Sequence, residues 1–135
     1  MGVIRWDELF SLASHVRRRA YAPYSDFMVG AAIQCDDGSL VAGCNVENAS
    51  FGGTICAERN ALCHAIATGR RSFVAAVIVT RGPEPAAPCG ICRQFMAEFA
   101  SDLPILLVAE DGDTRKLVRL ADLLPMAFGP GDVPR

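Results

Sequence analysis

The sequence contains no long hydrophobic run, since nowhere do 18 or more apolar residues follow one another, and a membrane-spanning helix needs a run of that length. It also has little surplus charge: 13 Lys and Arg residues against 15 Asp and Glu residues leave a formal net charge of −2. A protein that binds polynucleotides usually shows a basic face or stripe. We therefore predict neither a membrane nor a nucleic acid as partner, and expect a small, uncharged ligand.

Signals of export and of separate domains are also missing. Acidic Asp7 comes too early for a signal peptide, so a cytoplasmic protein is predicted. No repeat or linker divides the 135 residues, and residues 1–135 are predicted to form one domain. The only basic cluster, Arg17-Arg18-Arg19, is predicted to be the solvated end of a helix, where the helix dipole favours cations.

The chain contains six cysteines. In a cytoplasmic protein these are expected to be thiols or metal ligands, because disulfides are rare there. Three have no partner spacing and are predicted to be buried small apolar residues: Cys35, Cys44 and Cys63. The other three belong to two short motifs: Cys56, Cys89 and Cys92.

Hydrophobic periodicity and turn residues predict nine helices and strands in a definite order. Thr54 is the predicted cap of the second helix, and Asp36-Asp37-Gly38 is the predicted turn of a hairpin. The predicted elements are a helix over 5–19, strands over 29–34 and 40–44, a helix over 55–68, a strand over 74–80, a helix over 89–99, strands over 105–109 and 115–119, and a helix over 120–124. This order predicts an α/β fold: a single layered domain with a mixed five-stranded sheet covered by helices.

The two cysteine motifs are Cys56-Ala57-Glu58-Arg59 and Pro88-Cys89-Gly90-Ile91-Cys92. Together they match the signature of zinc deaminases, with cysteine in the position of histidine. Cys89 and Cys92 are three residues apart and can share one helix face. Three thiolates would leave the fourth tetrahedral position of Zn²⁺ for water, which is the arrangement of catalytic sites.

Other interpretations of the cysteines are weaker. A redox pair would stand just after the first strand of a βαβ unit, and this pair follows the third strand. A structural zinc site would need a fourth ligand, and His64 lies about two helical turns beyond Cys56. Glu58 could simply favour the positive end of the helix dipole, but beside three cysteines it is predicted to transfer protons.

Arg59 has a role that follows from counting charges. Three thiolates and one Zn²⁺ sum to −1, which should make a bound water harder to deprotonate. Arg59 is three residues from Cys56 and shares its helix face, so it can offset this excess. A solvated helix arginine is the equally plausible alternative on physical grounds alone.

With these residues in place, the chain resembles the homotetrameric cytidine deaminase family over nearly its whole length. The resemblance rests on five motifs in family order: A-P-Y-S-D-F-M-V-G-A-A at 22–32, G-C-N-V-E-N-A-S at 43–50, T-I-C-A-E-R at 54–59, P-C-G-I-C-R-Q at 88–94 and L-L-P-M-A-F-G-P at 123–130. It implies zinc on Cys56, Cys89 and Cys92, with Glu58 as proton shuttle and Arg59 as the compensating charge.

The resemblance also implies substrate contacts and an assembly. Phe27 would pack against the pyrimidine ring, Asn45 and Glu47 would bind the ribose 3′-hydroxyl, and the backbone of Ala57 would bind the base. Phe128 resembles a C-terminal aromatic that reaches a neighbouring subunit of a homotetramer with shared active sites. Without the family, Phe27 could be a core residue and Glu47 a solvated loop carboxylate. Phe51 departs from the family, which usually has tyrosine there.

The implied function is zinc-dependent hydrolytic deamination of cytidine and 2′-deoxycytidine to uridine and 2′-deoxyuridine, in pyrimidine salvage. A blasticidin-type or other cytosine-compound deaminase would keep the chemistry and change the substrate. A zinc-stabilised interaction module without catalysis is a more distant alternative, against which Glu58 argues. An editor of polynucleotides would need a basic, aromatic-lined path for the strand, which the sequence does not offer.

Overall fold

The computed structural model describes residues 2–134, so Met1 and Arg135 of the predicted domain lie outside the described residues. Each predicted helix and strand is present within one or two residues of its expected ends. The elements are α1 (Trp6–Arg17), β1 (Gly30–Cys35), β2 (Leu40–Cys44), α2 (Ala57–Ala67), β3 (Phe73–Thr80), α3 (Gly90–Phe99), β4 (Pro104–Ala109), β5 (Arg115–Arg119) and α4 (Leu120–Leu123). Short 3₁₀ helices lie between β2 and α2 at Phe51–Gly53 and after α4 at Pro130–Asp132.

The five strands form one mixed sheet in the order β2-β1-β3-β4-β5. β3 and β4 are parallel, and the other neighbouring pairs are antiparallel. The connection from β3 to β4 passes through α3, as a parallel pair requires, because a tight turn cannot join parallel strands. The predicted fold class, a mixed five-stranded sheet covered by helices, is confirmed.

Helices cover both faces of the sheet, and the strands divide their side chains between the two faces with a period of two. Ala32, Val77 and Val79 pack with Leu9 and Ala13 of α1. The residues next to them in the strands point the other way and pack with α2 and α3: Ala31, Ile33 and Ile78 contact the cluster that contains Ala61, Leu62 and Met96 of the helices. Both faces are buried, which explains why β3 is an almost continuous apolar run.

Two glycines let the helices lie directly on the strands. A Cβ atom at Gly30 would collide with the backbone of α1, and one at Gly43 would collide with α2, within 2.8 Å of Ala57 O. Because Gly43 holds the first turn of α2 against β2, it also fixes where Cys56 and Glu58 stand.

The predicted cap of α2 is wrong. The chain is extended at Thr54 and Cys56, so the helix begins only at Ala57 with Cys56 as its N-cap. Thr54 Oγ1 instead accepts a 3.2 Å hydrogen bond from Asn48 N in the preceding loop.

Two predictions about the surface also need correction. Cys35 is buried as expected, but Cys44 is half-buried and Cys63 is exposed on α2, because Cys63 lies on the helix face away from the sheet. Arg17 is not solvated: only 16% of its side chain is exposed, and it donates to Met28 O at 2.7 Å and pairs with Glu110 at 2.9 Å. Among residues 2–134, no helix is both long and apolar enough to cross a membrane.

Candidate active site

The three cysteines of the motifs meet where the N-termini of α2 and α3 come together. Cys56 is the N-cap of α2, Cys89 is the N-cap of α3, and Cys92 lies in the first turn of α3. In the described structure, neither N-cap thiol makes the side-chain hydrogen bond that usually satisfies the first N–H groups of a helix. The thiols face one another instead, at the positive ends of two helix dipoles, which favour thiolates.

The distances between the sulfur atoms suit a tetrahedral metal ion. Cys56 Sγ lies 3.8 Å from Cys89 Sγ, and Cys89 Sγ lies 3.4 Å from Cys92 Sγ. All three atoms lie within 4.8 Å of one another. Two thiolates bound to tetrahedral Zn²⁺ at the usual Zn–S distance would be about 3.8 Å apart. The donor set therefore fits zinc with little adjustment.

The pKa values of Cys56 and Cys92 are shifted in opposite directions. The hydrogen bond with Cys92, helped by Arg59, lowers the pKa of Cys56 to about 5. The same bond, together with burial, raises the pKa of Cys92. One thiolate is thus already favoured, and metal binding would have to displace the protons of the others.

Arg59 lies beside the first of these thiols. Its Nη2 donates to Cys56 Sγ at 3.5 Å and to Thr54 O at 3.4 Å, and the hydrogen bond to Cys56 raises the pKa of the guanidinium. Nε of Arg59 is buried without a hydrogen-bond partner among residues 2–134. The side chain is half-buried and oriented toward the cluster, which is the geometry that charge compensation requires.

Glu58 is the one charged residue among the buried residues of the described chain, with 6% of its surface exposed. Burial, with a smaller contribution from the charge of Cys56, raises the pKa of Glu58 to about 7. A carboxyl group with such a pKa can both accept and donate a proton near neutral pH, which suits a general acid–base.

A cavity of about 180 Å³ opens directly above this cluster. Its floor is formed by Cys56, Glu58 and Cys89, and its walls include Phe27, Asn45 and Ala57. Ala57 is completely buried and is the first residue of α2. Its N–H has no partner within the helix, since the first N–H groups of a helix are unpaired.

Asn45 forms two hydrogen bonds that hold the segment carrying Phe27. Its Oδ1 accepts from Val29 N, and its Nδ2 donates to Phe27 O, both at 2.8 Å. The amide lies in the cavity wall and is 7% exposed. Asn45 therefore shapes the cavity by fixing the position of Phe27.

Glu47 lies next to the cavity, in a second concavity of about 390 Å³ that shares Thr54 with the first. Its carboxylate accepts hydrogen bonds from Tyr24 N at 2.9 Å, from Ser25 N at 3.1 Å and from Ser25 Oγ. The bond from Ser25 Oγ is the main reason that the pKa of Glu47 is lowered. Glu47 is held ionised at the mouth of the site.

Four predicted site residues do not line the cavity: Arg59 and Cys92 contact its floor from behind, Glu47 lies beside it, and Phe128 is remote from it. Phe128 is 60% exposed and lies outside the cavity lining, with its carbonyl bound to Gln94 of α3.

The cavity is also lined by residues that the sequence did not indicate, among them Thr80 and Ala86. Ala86 N donates a 3.0 Å hydrogen bond to Thr80 Oγ1. Ser25, which lies in the motif at 22–32, also binds Glu47 and Phe27 N, a role that the sequence did not indicate.

Comparison with known families identifies the chain. Residues 4–106 match the family model described as the cytidine and deoxycytidylate deaminase zinc-binding region. Together with the cluster of Cys56, Cys89 and Cys92, this match confirms the predicted zinc cofactor.

Relatives match the chain over nearly its whole length. A cytidine deaminase of Halalkalibacterium halodurans is 45% identical over 126 residues, which are 93% of this chain and 95% of that protein. A cytidine deaminase of Sporosarcina psychrophila is 41% identical over 128 residues, covering 94% of this chain and 93% of that protein. The crystal structure of cytidine deaminase from Burkholderia pseudomallei superposes with a TM-score of 0.87 at 44% identity, over 93% of this chain and 100% of that one. The chain belongs to the cytidine and deoxycytidylate deaminase family.

Proposed function

We propose that this protein is a zinc-dependent hydrolase that deaminates cytidine and 2′-deoxycytidine to uridine and 2′-deoxyuridine. The observation that supports it best is the buried Glu58 beside three convergent thiols on the floor of a cavity. The cavity is smaller than the roughly 300 Å³ at which ordinary ligand pockets begin. It therefore suits a single pyrimidine ring, with the sugar toward the mouth.

The metal ligands in this proposal are Cys56, Cys89 and Cys92. When bound there, zinc would lower the pKa of a water molecule and so supply a nucleophile near neutral pH. Arg59, at 3.5 Å from Cys56 Sγ, offsets the negative charge that the third thiolate adds.

Glu58 moves the protons. It accepts a proton from the attacking water and delivers it to N3 of the ring, while the water oxygen forms a bond to C4. It then takes the proton of the hydroxyl group on C4 and passes it to the amino group, and the bond from C4 to nitrogen breaks to release ammonia and leave the C4 carbonyl. Its pKa of about 7 suits both steps, because the same carboxyl must be base and then acid.

Four residues hold the substrate in this proposal. Phe27 packs against the pyrimidine, and the backbone N–H of Ala57 binds its polar edge. Asn45 and Glu47 bind the ribose 3′-hydroxyl. The amide of Asn45 can form further hydrogen bonds besides the one to Phe27 O, and the carboxylate of Glu47 can accept further ones besides the one from Ser25 N. A ribose contact favours a nucleoside over free cytosine, which has no hydroxyl to bind.

We further propose that the protein forms a homotetramer with shared active sites. We also propose that it is cytoplasmic and acts in pyrimidine salvage. Large apolar side chains are exposed around the cavity mouth and at the C-terminus, including Phe51 at 74% and Phe128 at 60%. A second copy of this chain would cover them, and Phe128 would complete a neighbour's cavity rather than its own. Measuring the mass in solution by light scattering tests this assembly, and a monomer at working concentration contradicts it.

One assay tests the function. Zinc content is measured in the purified protein, and the loss of ultraviolet absorbance is followed on cytidine, deoxycytidine, cytosine and blasticidin S. We expect one zinc per chain and turnover of the two nucleosides. A rate on cytosine equal to that on cytidine would overturn the ribose contacts, turnover of blasticidin S alone would change the substrate class, and no turnover of any of them would leave a non-catalytic zinc module.

A further inference from the structure

Two side chains that follow Cys92 connect the metal site to a distant part of the chain. Arg93 Nη1 donates to Leu123 O, and Gln94 Nε2 donates to Phe128 O, each at 2.8 Å and across 30 and 34 residues of sequence. The proposed function uses Cys92 and Phe128, but it gives no role to the two residues that join them.

On the side of the metal site, Arg93 holds the turn that carries two ligands. Its Nε donates to Pro88 O at 2.8 Å, and its backbone N donates to Cys89 O at 3.0 Å. Pro88 is buried and directly precedes Cys89. Residues 88–92, called the metal turn below, are therefore closed by the residue that follows their last cysteine.

This support matters because the metal turn lacks the usual one. An N-cap residue ordinarily fixes the start of its helix with a side-chain hydrogen bond to the first N–H groups. Cys89 makes no such bond in the described structure, since its sulfur faces the other two thiols. The guanidinium of Arg93 instead contacts the start of the turn, through the hydrogen bond from its Nε to Pro88 O.

On the far side, the same two residues hold a segment with few other constraints. Residues 123–128, called the C-terminal segment below, begin at the last residue of α4, where helix carbonyls lack partners within the helix. Met126 in this segment is fully exposed and has a φ of 53°. A non-glycine residue in that conformation is strained, and surrounding contacts must hold it there.

We propose that Arg93 and Gln94 are positioning residues that clamp the C-terminal segment onto the metal turn. Arg93 fixes carbonyl groups on both sides of the contact with one planar fork, which lysine could not do. Gln94 fixes the backbone of Phe128. Two consequences follow: retention of zinc depends on Arg93, and the placement of the Phe128 ring depends on Gln94. The second consequence rests on the proposed function.

The first consequence is tested by the rate at which zinc leaves the loaded protein in excess chelator. For Arg93→Met we expect release about tenfold faster than in the wild type, which is the lower end of the effect of removing groups that orient metal ligands. Arg93→Lys keeps the charge, but its single ammonium group cannot reproduce both bonds of the fork, so its rate should lie between the two. A purely structural role would lower the melting temperature and leave zinc release unchanged.

Arg115→Met is the matched control, because Arg115 also donates to a backbone carbonyl, Gly112 O at 2.8 Å, but lies on β5 away from the metal turn. It should release zinc at the wild-type rate. Zinc release by Arg93→Met at the wild-type rate overturns the proposal. If that variant does not fold, a wild-type rate in Arg93→Lys overturns it instead.

The second consequence is tested by a double-mutant cycle on the KM for cytidine. Gln94→Met removes the donor to Phe128 O at similar length, and Phe128→Ala removes the ring while keeping the carbonyl. We expect each variant to raise KM severalfold, with kcat and zinc release unchanged in Gln94→Met. The double variant should be no worse than Phe128→Ala, because both changes act through one ring. Additive effects, or a wild-type KM in Gln94→Met, would remove Gln94 from the clamp.

The two tests separate this proposal from the function on which it partly rests. If the wild-type protein does not deaminate any cytosine compound, the proposed function fails and the KM cycle has no meaning. Zinc release still reports on Arg93, because it requires only the loaded protein.

Discussion

The helices on the two faces of the sheet are built for different tasks. α1 buries Leu9 and Ala13 against the strands, and its first-turn acidic residues suit its dipole. In the described chain none of these three helices has a capping bond from its N-cap side chain, but α2 and α3 begin at a cysteine whose thiol faces the site, and α2 buries Glu58 in its first turn. Burying the Glu58 carboxyl group costs stability. The comparison suggests that the sheet and α1 supply stability, which the starts of α2 and α3 give up to form the site.

Replacing the buried carboxylate should separate the two tasks most strongly. Glu58→Gln removes the proton carrier, so we expect kcat on cytidine to fall by about 10²–10⁴-fold. Folding stability should stay the same or rise, because a neutral amide is cheaper to bury than a carboxyl with a raised pKa.

The matched control for this prediction is Glu8→Gln, the same chemical change at an exposed position of α1. It should keep full activity. Near-normal turnover by Glu58→Gln, measured by loss of ultraviolet absorbance, would end the assignment of Glu58 as proton carrier.

Creating a cavity under α1 should lower stability and leave activity unchanged, which is the opposite of the result expected for Glu58→Gln. Leu9→Ala empties a completely buried position, so we expect the free energy of unfolding in denaturant to fall by about 2–5 kcal/mol. Turnover per folded molecule and zinc content should be unchanged, because Leu9 packs on the face away from the metal. Leu117→Ala on β5, where the side chain is largely exposed, should change stability by less than about 0.5 kcal/mol. Loss of zinc in folded Leu9→Ala would show that the two faces are not independent.

Removing the compensating charge should act on the metal alone. In Arg59→Gln we expect zinc affinity to fall by about 10–100-fold, as for other groups that support metal ligands. The measurement is competition with a chelator of known zinc affinity. Arg70→Gln, an arginine just beyond the other end of α2 that pairs with Asp37 at 3.3 Å, should bind zinc like the wild type. Equal affinities in the two variants would show that Arg59 compensates no charge at the metal.

The same contrast between the two faces explains what could be predicted from the sequence. The helices, strands and sheet followed from local periodicity and turn residues, and the cysteine motifs followed from short spacings. The cap at Thr54 was mistaken because a good cap residue stood two positions too early, and the local pattern could not show that the chain stays extended through Cys56.

Contacts distant in sequence were harder to predict. The partners of Asn45 and Glu47 lie about 20 residues earlier, between Tyr24 and Val29, and no local pattern pairs them. The burial of Glu58 was also beyond the sequence, since glutamate is rarely buried. Gly43 gave no sign in the sequence that α2 would lie against it.

The smallest predicted effect concerns the loop between α1 and β1, which carries Ser25 and Phe27 at the mouth of the cavity. Ser25 Oγ donates to Glu47 and accepts from Phe27 N at 3.0 Å, so one hydroxyl links the carboxylate that we propose binds the ribose to the ring that we propose packs on the base. Ser25→Ala removes both bonds but leaves the backbone donors of Tyr24 and Ser25 to Glu47. We expect KM for cytidine to rise by about two- to tenfold, the equivalent of one hydrogen bond, with kcat and zinc affinity unchanged. Ser50→Ala is the control, because Ser50 lies in a neighbouring loop and its hydrogen bonds in the described chain, from its N–H to Asn48 Oδ1 and from Gly53 N to its carbonyl, involve only its backbone. A fall in kcat without a change in KM would place Ser25 in the chemical step rather than in substrate binding.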